Sequence, residues 1–314
     1  MALRIVFCGT PAFAVPSLQH LIAQPDFQVE AVVTQPDRPR GRGREMAAPA
    51  VKEAALAAGI PVFQPEKIKA DSAYDEIKRL APDVVVIIAY GQIISQRLID
   101  IPRLGWVNLH ASLLPKYRGA APINWAILNG EATTGLTTMQ IDAGLDTGPM
   151  LLKYETEIGR DETAPELTVR LAEAGAPLMV ETLRGLDRGT IRAIPQDHSQ
   201  ATLAPPLKKE DGRIDWALDA YKIYNRIRGL QPWPGAFTSF RGKSCHIWGK
   251  PLKPISAGGM PGIMLPTQED GLLVICGGAS VLRVEHAQLE GRKRVTAQEF
   301  ANGARLAPGE RFGD

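Results

Sequence analysis

The sequence predicts an α/β domain built on a mostly parallel sheet, followed by a small β-barrel. Three observations carry this. Residues 4–34 read strand–helix–strand, the spacing of a βαβ unit. Asp83–Ala89 is nearly all β-branched and apolar, as a strand buried on both faces must be. Beyond Gly235, short β-like runs alternate with Gly/Pro turns.

In order, Arg4–Cys8 is a strand closed by Gly9-Thr10-Pro11, and Phe13, Val15, Leu18, Leu21 and Ile22 give a helical pattern. Val29–Thr34 is the second strand, stopped by Gln35-Pro36, and Asp83–Ala89 takes the sheet centre. Gly105–Leu109, Gly135–Ile141 and Met150–Ile158 are further strands. Thr163–Leu186 reads as a helix with a late start at Pro165 and a break or kink at Pro177. Pro195, Pro205 and Pro206 punctuate a stretch without periodicity, so 1–188 is read as one domain, 189–206 as a linker and 207–314 as a second domain. There, Asp215–Arg228 is expected to be helical with Asp215 as its cap, and Ala236–Phe240, Cys245–Trp248, Gly262–Leu265, Leu272–Cys276 and Ser280–Ala287 are the strands. Leu282, Val284 and His286 alternate as one half-buried strand would.

At 314 residues two domains are expected, and 45% hydrophobic with 22% charged residues is ordinary for a soluble enzyme. No stretch approaches the ~18–20 apolar residues of a membrane helix. The apolar run at Ile5–Cys8 is too short for a secretory signal, so a cytoplasmic protein is expected. Cys8, Cys245 and Cys276 are scattered, as are the five histidines, which argues against disulfides and a metal site. Without heptads or a long apolar stripe a monomer is expected. Residues 1–205 carry 20 Lys and Arg against 23 Asp and Glu, whereas residues 206–314 carry 16 against 11. A mildly basic C-terminal part is compatible with a polyanionic partner.

Four segments bear on chemistry. Phe7-Cys-Gly9-Thr-Pro11 sits where a phosphate loop would but lacks G-x-G-x-x-G, which weighs against a nicotinamide-dependent oxidoreductase; a tight turn or a ligand loop remain. In Gly105-Trp-Val-Asn108-Leu-His110-Ala-Ser112, Asn108 and His110 share a strand face. They are either a hydrogen-bonded structural pair or a site: an amide can hold a developing oxyanion, an imidazole can move a proton. Asp142-Ala-Gly144-Leu-Asp146-Thr-Gly148 offers Asx turns, a carboxylate that reaches His110, or, last, a metal loop whose Ca²⁺ pattern it does not match. Asp37-Arg38-Pro-Arg40-Gly-Arg42-Gly-Arg44 is expected as an irregular loop, either a solvated charge run or a phosphate contact.

Taken together, Asn108-Leu-His110-Ala-Ser112-Leu-Leu-Pro115 followed by Asp142-Ala-Gly144-Leu-Asp146-Thr-Gly148 resembles the formyltransferase family that uses 10-formyltetrahydrofolate. Phe7–Phe13, Thr34–Gly43, Leu113–Pro122, Arg213-Ile-Asp-Trp216 and Pro232-Trp-Pro234 extend the likeness over the chain, toward members acting on charged initiator tRNA. The resemblance implies a Rossmann-like catalytic domain and an OB-like C-terminal barrel. It implies catalytic roles for Asn108, His110 and Asp146. It also implies a folate pocket of Ile88, Ala89, Tyr90, Gly91 and Gln92, of Ser112, Leu113, Leu114 and Pro115, and of Asp142. The tRNA contacts it implies are Arg38, Arg40, Arg42 and Arg44, with Arg42 foremost. The resemblance implies a linker Lys, common in the family, at about the place of Pro206; the neighbouring Lys208 and Lys209 are the candidates for that contact.

The implied reaction moves a formyl group from 10-formyltetrahydrofolate to the amine of methionyl initiator tRNA, with no metal and no NAD. Asp146 would orient His110 and favour its charged form. The rivals are formylation of glycinamide ribonucleotide or an amino-sugar nucleotide, a non-catalytic RNA-binding protein, and a hydrolase releasing formate.

Overall fold

The five parallel strands of the larger sheet end on one edge, and Asn108 and His110 lie there. In the computed structural model, residues 2–40, 45–252, 259–267 and 271–313 are described. The strands of this sheet are β1 (Leu3–Gly9), β2 (Phe27–Val33), β5 (Val62–Phe63), β6 (Val84–Ile88), β7 (Trp106–His110), β8 (Thr133–Gln140) and β9 (Met150–Glu157). Their order is β5-β2-β1-β6-β7-β8-β9, parallel from β5 to β7 and antiparallel for β8 and β9. This is the mostly parallel sheet expected. All five residues of β6 are buried, which is why that strand can consist of Val and Ile alone.

The strand order reverses between β1 and β6, the switch point at which open α/β sheets bind ligands. There Gly9 pairs with Ile88, and Asn108 with Ile87. A Cβ on Gly9 would lie 2.9 Å from the Phe7 ring and 3.1 Å from the Ile88 carbonyl. The glycine therefore serves a close-packed turn, one of the two readings left open by its sequence.

The helix Ala164–Asp187 runs through Pro177 without the expected break. Its buried Leu167, Leu171, Ala176, Met179 and Leu183 outweigh the ~3 kcal/mol a helix-interior proline costs. Gly175 lets it settle onto Leu109, since a Cβ there would come within 2.4 Å of that side chain. Leu109 thus faces the helix. Trp106, on the other face of β7, packs with Val6, Cys8, Val85, Ile87 and Tyr90. Asn108 and His110 alternate with Leu109 onto this second face.

Arg38–Pro39–Arg40 corrects the loop expected there: it forms β3, paired antiparallel with β4 (Glu45–Ala47). A two-stranded ribbon has only edge strands, where a proline removes no interior ladder bond. Arg42, Arg44 and the side chain of Arg40 lie outside the described residues.

Contacts divide the chain into two units: Met1–Pro122 with Thr133–Glu157 and Leu167–Pro205, and Ile123–Ala132 with Ile158–Glu166 and Pro206–Asp314. In the second, β10 (Phe237–Phe240), β11 (Lys243–Pro251), β12 (Met264–Thr267), β13 (Gly271–Cys276), β14 (Ser280–Leu289) and β15 (Val295–Thr296) form an antiparallel sheet. Its helix starts later than expected, at Ala220, capped by the Asp219 carboxylate accepting from Lys222 N–H; Asp215 instead accepts from Ala217 N–H in an Asx turn. The alternation of β14 also shifts. Trp248 pairs with His286 and Gly249 with Val284, so Glu285 is bulged out. The phase slips by one residue, and Ala287 rather than His286 is buried.

Candidate active site

His110 ends β7 and is 6% exposed, so both ring nitrogens must be accounted for. Nε2 lies 2.9 Å from the Tyr117 carbonyl and, because a carbonyl only accepts, it is the donor. Nδ1 faces Asp146 Oδ2 at 3.6 Å, an ion-pair separation beyond hydrogen-bond length. Asp146, although it follows the next strand, thus approaches His110 but stops short of the hydrogen-bonding range expected of it.

Asn108 differs. It is half-buried, one residue pair from the sheet edge, and its carboxamide has no hydrogen-bond partner among the described residues. Asn108 and His110 do not bond one another, so the structural-pair reading has no support in the geometry. A half-buried amide without a protein partner is the kind of group a ligand satisfies.

The loops hold this geometry through backbone conformations that side chains seldom adopt. Tyr117 has φ +61° and Asp146 φ +51°, both left-handed. The Tyr117 N–H donates to Thr202 Oγ1 at 2.8 Å, which fixes the turn presenting its carbonyl. Gly119, at φ +123°, donates its N–H to Asp146 Oδ2 at 2.8 Å. A Cβ there would fall 2.6 Å from the Ala204 carbonyl, so only glycine brings this N–H to the carboxylate.

Gln196 and Arg118 were not singled out from sequence. Gln196 is 5% exposed; its Nε2 donates to the carbonyls of Asp146 (2.8 Å) and Gly148 (2.7 Å). Its Oε1 accepts from Arg118 Nε (3.0 Å) and Nη2 (2.7 Å). Thus the stretch after 189 contributes directly to the first unit. A lone Gln among prolines gives no sequence signal of this. Arg118 at least falls in the Leu113–Pro122 motif.

The three segments expected to hold folate are placed differently. Ile88 is buried, Ala89 (φ +47°) and Gly91 (φ +88°) are exposed, and the Tyr90 carbonyl accepts from Gln35 and Thr10. Gln92 is committed at both ends, accepting from Ile68 N–H and donating to the Glu66 carbonyl. Ser112 donates to the Lys116 carbonyl at 2.6 Å, Leu114 is buried with its carbonyl accepting from Lys153, and Leu113 and Pro115 are half-buried. Asp142 Oδ1 accepts from Gly144 N–H and Thr147 Oγ1, an Asx turn bracing the loop.

Of the basic residues, Arg38 is exposed on β3, and Lys208 and Lys209 are exposed in the second unit. The base of the β3 ribbon is anchored by Asp37, whose carboxyl is held below its ordinary value by hydrogen bonds from Gln64 and Lys52. No group of metal-binding side chains occurs among the described residues.

Residues 3–183 match the family described as formyl transferase, and residues 206–305 match the formyl transferase C-terminal domain. The methionyl-tRNA formyltransferase of Solibacter usitatus is 54% identical over 99% of both chains, and that of Geobacter metallireducens 50% over 99% of both. Among solved structures, the sugar 3N-formyl transferase WlaRD, in the presence of dTDP and 5-N-formyl-THF, superposes with TM-score 0.67 at 19% identity, over 93% of this chain and all of that one. HypX from Aquifex aeolicus in complex with tetrahydrofolic acid gives 0.62 at 17%, over 99% of this chain and 49% of that one. These two likenesses are of fold. Matched in both of its parts, and half identical to curated members from end to end, the chain belongs to the formyl transferase family.

Proposed function

We propose that the chain transfers the formyl group of 10-formyltetrahydrofolate to the free amine of methionyl initiator tRNA, releasing tetrahydrofolate, in translation initiation. The observation that carries the site is the Asn108 carboxamide, half-buried and without a hydrogen-bond partner among the described residues, beside a His110 that donates to Tyr117 and faces Asp146. The acceptor is supported by relatives named methionyl-tRNA formyltransferase at about half identity over the full chain. The donor is supported by the folate ligands of the fold neighbours.

In this reading the donor supplies an activated formyl carbon. Asn108 donates to the formyl oxygen as negative charge grows on it when the amine adds, a contact stronger in the transition state than before it. His110 takes the proton the amine releases on Nδ1, the nitrogen not tied to Tyr117, and passes it to the folate nitrogen as the C–N bond to the formyl carbon breaks. Asp146 orients the ring and balances its charge. Ile88–Gln92, Ser112–Pro115 and Asp142 would hold the folate; the exposed Ala89 and Gly91 at the switch point suit a ligand approaching the backbone. Arg38, Arg40, Arg42, Arg44, Lys208 and Lys209 would contact tRNA phosphates. Residues 1–188 then act as the catalytic domain, 189–206 as a linker and 207–314 as the tRNA-binding domain, in a cytoplasmic monomer.

The test is formylation of Met-charged initiator tRNA with 10-formyltetrahydrofolate, with elongator tRNA beside it. Formylated initiator as the preferred product is expected. Formate released without an amine acceptor, or tRNA binding without folate binding, would overturn the reading.

A further inference from the structure

The side chain of Gln196 joins three groups: the Arg118 guanidinium and the carbonyls of Asp146 and Gly148. Its orientation is not in question: Arg118 can only donate and the two carbonyls can only accept, so Oε1 must face the guanidinium and Nε2 the loop. The charged donor on Oε1 polarises the amide and strengthens donation from Nε2. Both Nε2 hydrogens end on the loop carrying Asp146, one on Asp146 itself and one two residues on at Gly148. At Gly148 the loop is also pinned from below, since a Cβ there would lie 1.9 Å from the Gln140 carbonyl. Asp146 holds a left-handed conformation, a state that persists only where its surroundings over-determine it. Gln196 supplies that determination on the carbonyl side, and Gly119 N–H on the carboxylate side.

We infer that Gln196, braced by Arg118, is a positioning residue for the formyl-transfer site: it sets the Asp146 backbone so that the carboxylate meets His110 Nδ1. The inference rests on the catalytic reading of Asp146 and His110 given above. It assigns no contact with either substrate to Gln196. Its loss should therefore reach turnover through Asp146 alone and leave substrate binding in place.

The decisive substitution is Gln196→Glu. A glutamate still accepts from Arg118, so the buried cation keeps its partner, but it offers no hydrogens to the Asp146 and Gly148 carbonyls. Formylation kinetics are measured for wild type, Gln196→Glu, Asp146→Ala and the double variant, with the His110 imidazole resonances followed by NMR. Gln196→Asn, an amide too short to span both sides, replaces the glutamate variant if that one does not fold. The expected result is a kcat lower by about 10- to 100-fold, the scale of a small misplacement at a reacting centre. KM for both substrates stays within about twofold, and the Gln196 effect disappears in the Asp146→Ala background. The His110 resonances of Gln196→Glu move toward those of Asp146→Ala. A kcat loss that multiplies with that of Asp146→Ala, a raised KM with kcat intact, or unmoved His110 resonances would overturn the inference. If Asp146→Ala and His110→Ala both keep near-wild-type turnover, it is the catalytic reading that fails, while the resonances still report whether Gln196 sets Asp146.

Discussion

The Nε2–H of His110 donates to the carbonyl of Tyr117 at 2.9 Å, which commits one face of the ring and leaves Nδ1 toward Asp146. Beside it, the Asn108 carboxamide has no hydrogen-bond partner among the described residues. Removing a donor aimed at developing charge costs about 10²–10³ in turnover. Asn108→Ala and His110→Ala are each expected to lower kcat for Met-tRNA formylation by that factor, with the donor KM little changed. Turnover near wild type in His110→Ala would remove it from the mechanism.

Gly119 stands at φ +123° with its Cα against the Ala204 carbonyl, and its N–H is the one that holds Asp146 Oδ2. Gly119→Ala places a Cβ where no relief is available except movement of backbone. A loss of about 1–3 kcal/mol is expected from the forced conformation, together with lower kcat because the N–H leaves the carboxylate. Thermal unfolding and steady-state kinetics check the two effects separately. A fully active, fully stable alanine variant would mean that the turn tolerates a side chain.

The split between what was legible and what was not follows the range of the interactions. Val84–Ile88 and Trp106–His110 declare themselves because apolar content and side-chain alternation are local properties. The shared face of Asn108 and His110 follows from the same two-residue period. The Asp146–His110 approach does not, since it spans a strand and depends on the Gly119 and Gln196 contacts that aim the loop. Gln196 itself was invisible: it sits in a proline-punctuated stretch, and its importance lies in partners 48, 50 and 78 residues away. Pro177 misled in the other direction, because a local helix-breaking rule was overridden by burial of the helix face.

Burial pushes the thiols of all three cysteines up, that of Cys245 to about 11 and that of Cys276 to about 12, with Cys8 above them. Above a thiol's ordinary pKa of 9.0 the unfolded chain has lost this proton while the folded chain keeps it. The unfolded state therefore binds fewer protons, and stability falls as pH rises through this range. Unfolding midpoints in urea are expected to drop steadily between pH 9 and the folded pKa values, and less so in Cys245→Ala/Cys276→Ser. At pH 8 a thiol reagent should react with none of the three until denaturant is added. Rapid modification of the native protein would show that these thiols are not protected.

Pro206 is exposed, and the exposed Lys208 and Lys209 follow it. If those two ammonium groups contact phosphates, each releases condensed counterions on binding, and the dependence of affinity on salt records how many do so. Lys208→Ala and Lys209→Ala are expected to raise the KM for tRNA at low salt without changing kcat at saturation. Each should also flatten the slope of log affinity against log salt by about 1. Pro206→Lys in the double-alanine background, which places an ammonium group two residues before position 208, should recover part of both. An unchanged salt slope in the double variant would place the phosphate contacts elsewhere, and the arginines at 38, 40, 42 and 44 would be the next to be replaced by the same measurement.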